Sequence, residues 1–216
     1  MKKNFPDADY YSAYEASFCG FHIHRKLIDV GIKNIVVNPA DVPTTDKEKK
    51  QKEDARDSRK LAFTLRSGEL KAIYIPSQES EELRSLVRYR RTLVKDIARN
   101  KNRVKSNLHF HGIKIPQENQ QASKYWSNKF TKWLQSISHT TEYGTSVLQN
   151  LIETTLELRK KLLSVTNEIR KAAKSEKYSK SCGLLTSIPG IGLITAMTII
   201  SELESLNRFK NFDKLA

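Results

Sequence analysis

Ile188-Pro189-Gly190-Ile191-Gly192, entered from Leu184 and Leu185 and left through Ala196, Ile199, Ile200 and Leu203, has the pattern of two short helices joined by a tight turn. The apolar residues on both sides recur at helical spacing, so each helix has a face to bury. In such a turn Gly190 and Gly192 remove the side chains that hold a phosphate away. Backbone N–H groups opening the second helix then point at the anion. Gly190, Ile191 and Gly192 are therefore the expected contact with nucleic-acid phosphate, a contact blind to base sequence. A turn that serves packing alone uses the same glycines.

Upstream, no Gly or Pro interrupts residues 79–108, and Leu83, Val87, Leu93, Val94, Ile97, Val104 and Leu108 form an apolar stripe close to a heptad. This predicts one long helix. A second seam runs through Leu148, Leu151, Thr155, Leu158, Leu162, Val165, Ile169 and Ala172, at alternating spacings of three and four that mark a coiled coil. The two helices either pair antiparallel or dimerise. His111-Gly112-Ile113 and Pro116 mark a turn between them, residues 117–128 are polar and irregular, and a short helix holding Phe130, Trp133 and Ile137 is expected to cap the tip.

The long helix also carries charge of one sign. Residues 88–105 hold eight Lys or Arg against the single acid Asp96. Arg84, Arg88, Arg91, Lys95, Arg99 and Arg103 fall three or four apart and make a ridge opposite the apolar stripe. A solvated coiled-coil face mixes signs; this one does not, and a nucleic-acid backbone suits it, RNA and DNA being equally served. The whole chain, 216 residues with a net charge of +14, points the same way.

The first 78 residues read differently. Tyr10 to Glu15 is rich in strand formers, Gly20 precedes a helical pattern with Phe21, Leu27 and Ile28 that stops at Gly31, and Ile35-Val36-Val37 reads as a buried strand. Strand, helix and strand with short connections imply a parallel βαβ unit. Residues 44–53 contain no apolar residue and are expected to form a loop. A helix follows from Asp54 through Leu61, Ala62 and Leu65 to Gly68, and Ile73-Tyr74-Ile75-Pro76 reads as a short edge strand. Glu15 ends the first strand, and Asp54 and Asp57 lie one helical turn apart. Carboxylates placed so can share divalent cations; acids at a helix start also serve its dipole.

Several classes are excluded on composition. Cys19 and Cys182 are the only cysteines, without metal-ligand spacing, so neither a disulfide framework nor a zinc site is expected. The N-terminal residues lack the apolar run of a signal peptide. Pro189, Gly190 and Gly192 break the most apolar stretch, Leu184 to Leu203, against a membrane span. A cytoplasmic protein is expected.

Taken in order, Tyr14-Glu15-Ala16, Gly31 with Val37-Asn38-Pro39, Lys52-Glu53-Asp54-Ala55-Arg56-Asp57 with Leu61-Ala62, and then Leu184 to Gly192 with Ala196 and Arg208-Phe209, resemble the DEDD (RuvC-like) insertion-sequence transposases in their RNA-guided group. The resemblance implies an α/β part at 1–78, a partial RNase H/RuvC-like sheet that forms part of the catalytic domain. It implies an all-α coiled coil with the basic ridge at 79–178, and the start of a C-terminal transposase domain with a helix-hairpin-helix motif at 179–216. Glu15, Asp54 and Asp57 would be three of four acids that hold magnesium (Mg2+). DNA would be the substrate of strand cleavage and exchange, a structured guide RNA would occupy the ridge, and the coiled coil would support a homo-oligomer. The family's first Asp lies well upstream of the Glu, and its Ser nucleophile, in a Ser-Gly context, follows the Arg-Phe segment. Ser201 and Ser205 do not match that context, so a truncated chain, inactive alone, is expected. The alternatives are a non-catalytic helix-hairpin-helix module that binds nucleic acid and a helical interaction protein held by the 148–172 seam.

Overall fold

The computed structural model describes residues 5–42, 54–119, 126–205, 208, 209 and 211. The loop expected at 44–53, including Lys52 and Glu53, and the 120–125 part of the irregular stretch lie outside them. The chain forms two compact units, residues 1–76 and 77–216; it is mostly helical, with a small parallel sheet near its N-terminus.

In the first unit β1 (Tyr11–Glu15) pairs in parallel with β2 (Lys33–Val37), Tyr11 opposite Lys33 and Glu15 opposite Val37. Between them runs α1 (His22–Asp29). Gly31, at φ +75°, lets the chain turn back: its N–H reaches the Ile28 carbonyl at 2.8 Å, and the Ile32 N–H reaches that of Leu27 at 2.8 Å. Val36 and Val37 are fully buried, as the apolar run requires. A second helix, α2 (Asp54–Ser67), packs against β1 and ends before Gly68 at φ +77°. Among its described side chains Thr64 is the buried one, its hydroxyl satisfied by the Lys60 carbonyl at 2.8 Å, while Ala62 is exposed.

The expected strand at 73–75 is a single antiparallel bridge, Ala72 to Val37, with the Ile73 N–H donating to Val36 at 2.8 Å. The physical reason lies at Pro76, which has no N–H to extend a ladder and whose carbonyl accepts from Arg25 Nη2 at 2.9 Å.

The second unit is built on two long helices, α3 (Gln78–Phe110) and α5 (Glu142–Ala173). Arg90 meets Thr166 and Asn100 meets Thr155, so the pair is antiparallel within one chain. Every residue of the α3 stripe is buried except Val94, which is 42% exposed. On α5 the seam residues Leu148, Thr155, Val165 and Ile169 are buried, with Ile152 and Thr166 beside them. Short helix α4 (Asn128–Gln135), started by the Ser127 side chain, covers the tip as expected; Phe130 and Leu134 pack with Val104, Leu108, Trp126, Leu148 and Ile152. At the base α6 (Glu176–Thr186) and α7 (Leu193–Leu203) close a second cluster around Leu83, Val87, Leu93, Ile169, Met197 and Ala196.

Asn100 lies along α3 between the residues of these two clusters. It is 2% exposed, and its amide donates to the Leu151 carbonyl and to Thr155 Oγ1, each at 2.7 Å; its Oδ1 is buried without a partner. Thr155 independently donates to Leu151 at 2.9 Å. Replacing Asn100 by Leu removes the orphaned oxygen and leaves Thr155 satisfied, so the unfolding free energy in urea is expected to rise by about 1 kcal/mol. A fall of that size shows instead that the two 2.7 Å bonds outweigh the orphan.

The starts of α3 and α6 are tied by Glu79, which accepts from Lys177 Nζ at 2.7 Å and Tyr178 Oη at 3.2 Å. The Lys177 bond is the main cause that holds the Glu79 carboxyl below its ordinary pKa. A depressed carboxyl stabilises the fold above its ordinary pKa and loses that contribution as pH falls through the lowered folded value. Acid titration of Glu79→Gln should therefore lack one component of the wild-type loss of stability below the ordinary carboxylate range; superimposable curves refute the tie.

Candidate nucleic-acid interface

α6 ends as the Ser187 and Ile188 N–H groups bond back to Gly183 and Leu185 at 3.1 and 3.2 Å. The Ile191 N–H then closes a four-residue turn onto the Ile188 carbonyl at 3.1 Å. Pro189 takes the second position of that turn and Gly190 the third, at φ +90°, a backbone region that type II turns require there and that L side chains resist. Gly192 is the N-cap of α7 in extended conformation, with no side-chain cap, and its carbonyl receives the first helical bond from Ala196 at 2.9 Å. Leu193, Ile194 and Thr195 precede that bond, so the helix offers their N–H groups no acceptor. A Cβ built on Gly190 or Gly192 meets nothing within 4 Å. The turn is exposed, and its two glycines leave the backbone bare.

Ile191 has another part. Its N–H is taken by Ile188, and its half-buried side chain packs against the basal core. It fixes the turn in place, and Gly190, Gly192 and the first amides of α7 form the surface that faces solvent.

The ridge divides in two. Arg84 Nε and Nη2 donate to the carbonyls of Ser201 and Glu202 at 2.9 and 3.3 Å, and its side chain is only 19% exposed. Arg88 grips the Glu202 carboxylate with Nε and Nη2 at 2.8 and 2.9 Å, which raises its pKa further. These two arginines hold the C-terminal end of α7. Arg91, Lys95 and Arg103 are exposed, and Arg99 pairs with Asp96 at 3.1 Å on the surface. Spacing from Arg84 onward does not distinguish the two groups; the deciding partner, Glu202, lies over a hundred residues away, and only its acidity at a helix end hints at the contact.

Among the acids, Glu15 is exposed at the last position of β1 and Asp57 is half-buried on α2, which packs against that strand. Asp54 is the first residue of α2, its backbone alone being described. Among the described residues no three His, Cys, Asp or Glu side chains gather as a metal-binding group. Carboxylate oxygens are the donor type that a hard cation such as magnesium takes.

Residues 14–113 match a protein-family model of the DEDD type for IS110 elements, described as Transposase, and residues 182–216 match one described as Transposase IS116/IS110/IS902 family. The chain carries transposase domains of the IS110/IS116/IS902 family. The transposase for insertion sequence element IS1533 of Leptospira borgpetersenii is 28% identical over 199 residues, 92% of this chain and 56% of that protein. A Sinorhizobium fredii protein with the transposase name y4qE is 27% identical over 201 residues, 93% of this chain and 47% of its own length. The chain thus spans about half the length of these two curated relatives. The first IS110-family match takes in Glu15, Asp54, Asp57 and the whole ridge; the second takes in the α6–α7 turn.

The two glycines separate folding from contact. Gly190→Ala forces a side chain into positive φ and should cost about 1–2 kcal/mol of stability in urea. Gly192→Ala, already extended and unobstructed, should cost only about 0.5 kcal/mol yet weaken DNA binding several-fold in a filter or anisotropy titration. Undiminished binding by Gly192→Ala would show that nothing approaches the turn.

Proposed function

We propose that this chain acts in DNA transposition, as part of a magnesium-dependent recombinase that cuts and exchanges DNA strands. The observation that carries this reading is the order of the two family matches on one chain, the first over the acids and the second over the exposed turn. Relatives that match over more than nine-tenths of the chain bear the transposase name.

In this reading each part has a task. Glu15, Asp54 and Asp57 hold the metal, which when bound neutralises charge on the phosphodiester oxygens. Gly190, Gly192 and the opening amides of α7 grip a DNA phosphate without reading bases, with Ile191 as their anchor. Arg91, Lys95, Arg99 and Arg103, with Arg88 at their edge, track the backbone of a guide RNA. Strand exchange calls for two copies. The helical seam is filled within the chain, so a second copy would rest on outer residues of the pair such as Val94, Val147 and Leu163, all exposed. No described helix is long and apolar enough to cross a membrane.

Magnesium separates this from the reading as a non-catalytic helix-hairpin-helix module. Titrating magnesium into the wild-type chain should raise its melting temperature, and Glu15→Gln or Asp57→Asn should remove that rise while DNA binding persists. No rise in the wild type sinks the catalytic reading and leaves the binding module. Absence of any salt-sensitive binding to DNA or RNA sinks both and leaves a helical interaction protein.

A further inference from the structure

The tip of the helical pair carries cations that the ridge does not include. Lys101, Lys105 and His109 follow one another at four-residue spacing on α3, and Lys105, His109, Lys114 and Gln117 border a cleft of about 710 Å3. Its apolar lining is Leu108, buried, with Ile113 and Ile115, half-buried. The cleft exists because Gly112, at φ +69°, turns the chain back after α3. Its volume falls among those that hold small ligands, roughly 300–1,000 Å3.

The same region concentrates positive charge. Lys101 Nζ stands 5.4 Å from the Trp126 ring centroid, and Arg159 Nη1 donates to the Trp126 carbonyl at 3.0 Å. Burial first, then the like charges of Arg159 and Lys105, hold the Lys101 ammonium below its ordinary pKa. The field at the end of α3 accounts for His109 in its last turn. It does not account for Lys101 two turns earlier, for Lys114 beyond the helix, or for Arg159 on α5. An anion would relieve all of them. Phe110, the residue after His109 and outside the cleft lining, is 83% exposed, with its ring edge-on to His111 at 5.1 Å.

We propose that the tip of the α3–α5 pair binds an unpaired nucleic-acid segment, its phosphates on Lys101, Lys105, Lys114 and Arg159, one unstacked base in the apolar cleft and a further base on the exposed ring of Phe110. A duplex keeps its bases stacked and offers chiefly phosphate, for which apolar walls and a bare aromatic ring have no use; an open strand presents both chemistries. This site deepens the nucleic-acid reading and rests on it, but uses residues separate from the α6–α7 turn and from Arg91, Lys95 and Arg103.

The test measures binding of the full chain to a fluorescent poly-deoxythymidine strand, a poly-uridine strand of equal length and a blunt DNA duplex, across a salt series. Lys105→Gln with Lys114→Gln should weaken single-strand binding by about tenfold and lower the slope of log affinity against log salt by about 1.4, some 0.7 per lost phosphate contact, with duplex affinity within about twofold of wild type. Arginine at both positions should restore binding. Phe110→Ala should weaken single-strand binding by about tenfold without changing the slope. All of these side chains except that of half-buried Lys101 and the cleft's apolar walls are at the surface, and unchanged urea midpoints confirm intact folding. The arms using deoxythymidine and uridine tell which strand is preferred. Wild-type single-strand binding by both tip variants overturns the proposal; if Arg91→Gln with Lys95→Gln then weakens duplex binding, the nucleic-acid reading itself survives. No binding by the wild type overturns both.

Discussion

The second unit depends on the antiparallel pairing of α3 with α5. Among the described elements neither helix has another partner long enough to cover its stripe, and each fully buried Leu, Ile or Val contributes about 1.5–3 kcal/mol. The pair supplies the surface on which everything else is placed. Its tip receives α4 through Phe130 and Leu134, and its base receives α6 and α7 through Cys182, Ala196 and Met197. Asn100 and Thr155 fix the alignment. A shift along the pair would move the Asn100 amide away from Leu151 and Thr155 and into apolar contact, leaving a second buried polar group without a partner beside Oδ1.

From that pairing follows the direction in which α7 presents itself. Its C-terminal end is held: Arg84 takes the last carbonyls, Arg88 takes the Glu202 side chain, and cations at a helix C-terminus are favoured by its dipole. Glu204 adopts φ +57°, rare for a residue with a side chain, and is held there by Ser77, whose hydroxyl and N–H reach its carboxylate at 2.6 and 3.2 Å. With that end fastened to α3, the opposite end of α7, with its bare Gly192 and free amides, is the one left facing solvent. Two of the six ridge residues, Arg84 and Arg88, thus serve the turn indirectly by orienting the helix that carries it.

Features set by local periodicity were legible in the sequence. The stripe from Leu83 to Leu108, the seam from Leu148 to Ala172, the βαβ order and the turns at Gly31, Gly68 and Gly112 all follow from side-chain spacing or from a backbone conformation that glycine tolerates. What depends on distant partners was not. Asn100 reads as a polar interruption until Thr155 stands opposite it; Arg84 reads like Arg91 until Glu202 arrives; Ile73 to Ile75 reads as a strand although Pro76 and Arg25 withdraw it from the sheet. The turn was legible in outline, but the pattern did not reveal that Ile191 faces inward. Placement alone picked out Glu15, Asp54 and Asp57 as possible cation ligands, and only the resemblance gave them a role, because carboxylates at a strand end and a helix start have ordinary structural uses. The cleft at the tip escaped notice because the 112–117 segment must fold back before Lys114 can stand near Lys105 and His109.

The charges on α3 are costly to the helix that carries them. Arg91, Lys95, Arg99 and Arg103 make three like-charge neighbours at four-residue spacing, and Lys101 with Lys105 makes a fourth. Each such pair destabilises a helix by about 0.2–0.5 kcal/mol, roughly 1–2 kcal/mol together, and Asp96 offsets it only at Arg99. An isolated helix would be weakened by this. Held against α5, α3 can sustain it, since the penalty is no larger than the contribution of one buried leucine of the stripe. The burial therefore does more than build a core: it keeps same-sign charges on a rigid rod at fixed intervals, where they need no reordering to meet a polyanion. Arg84 and Arg88 show what the fold does with cations it uses for itself, surrounding them with carbonyls and a carboxylate. Arg91, Lys95 and Arg103 stand exposed in contrast, and the proposed contact with a polyanion rests on this difference in surroundings.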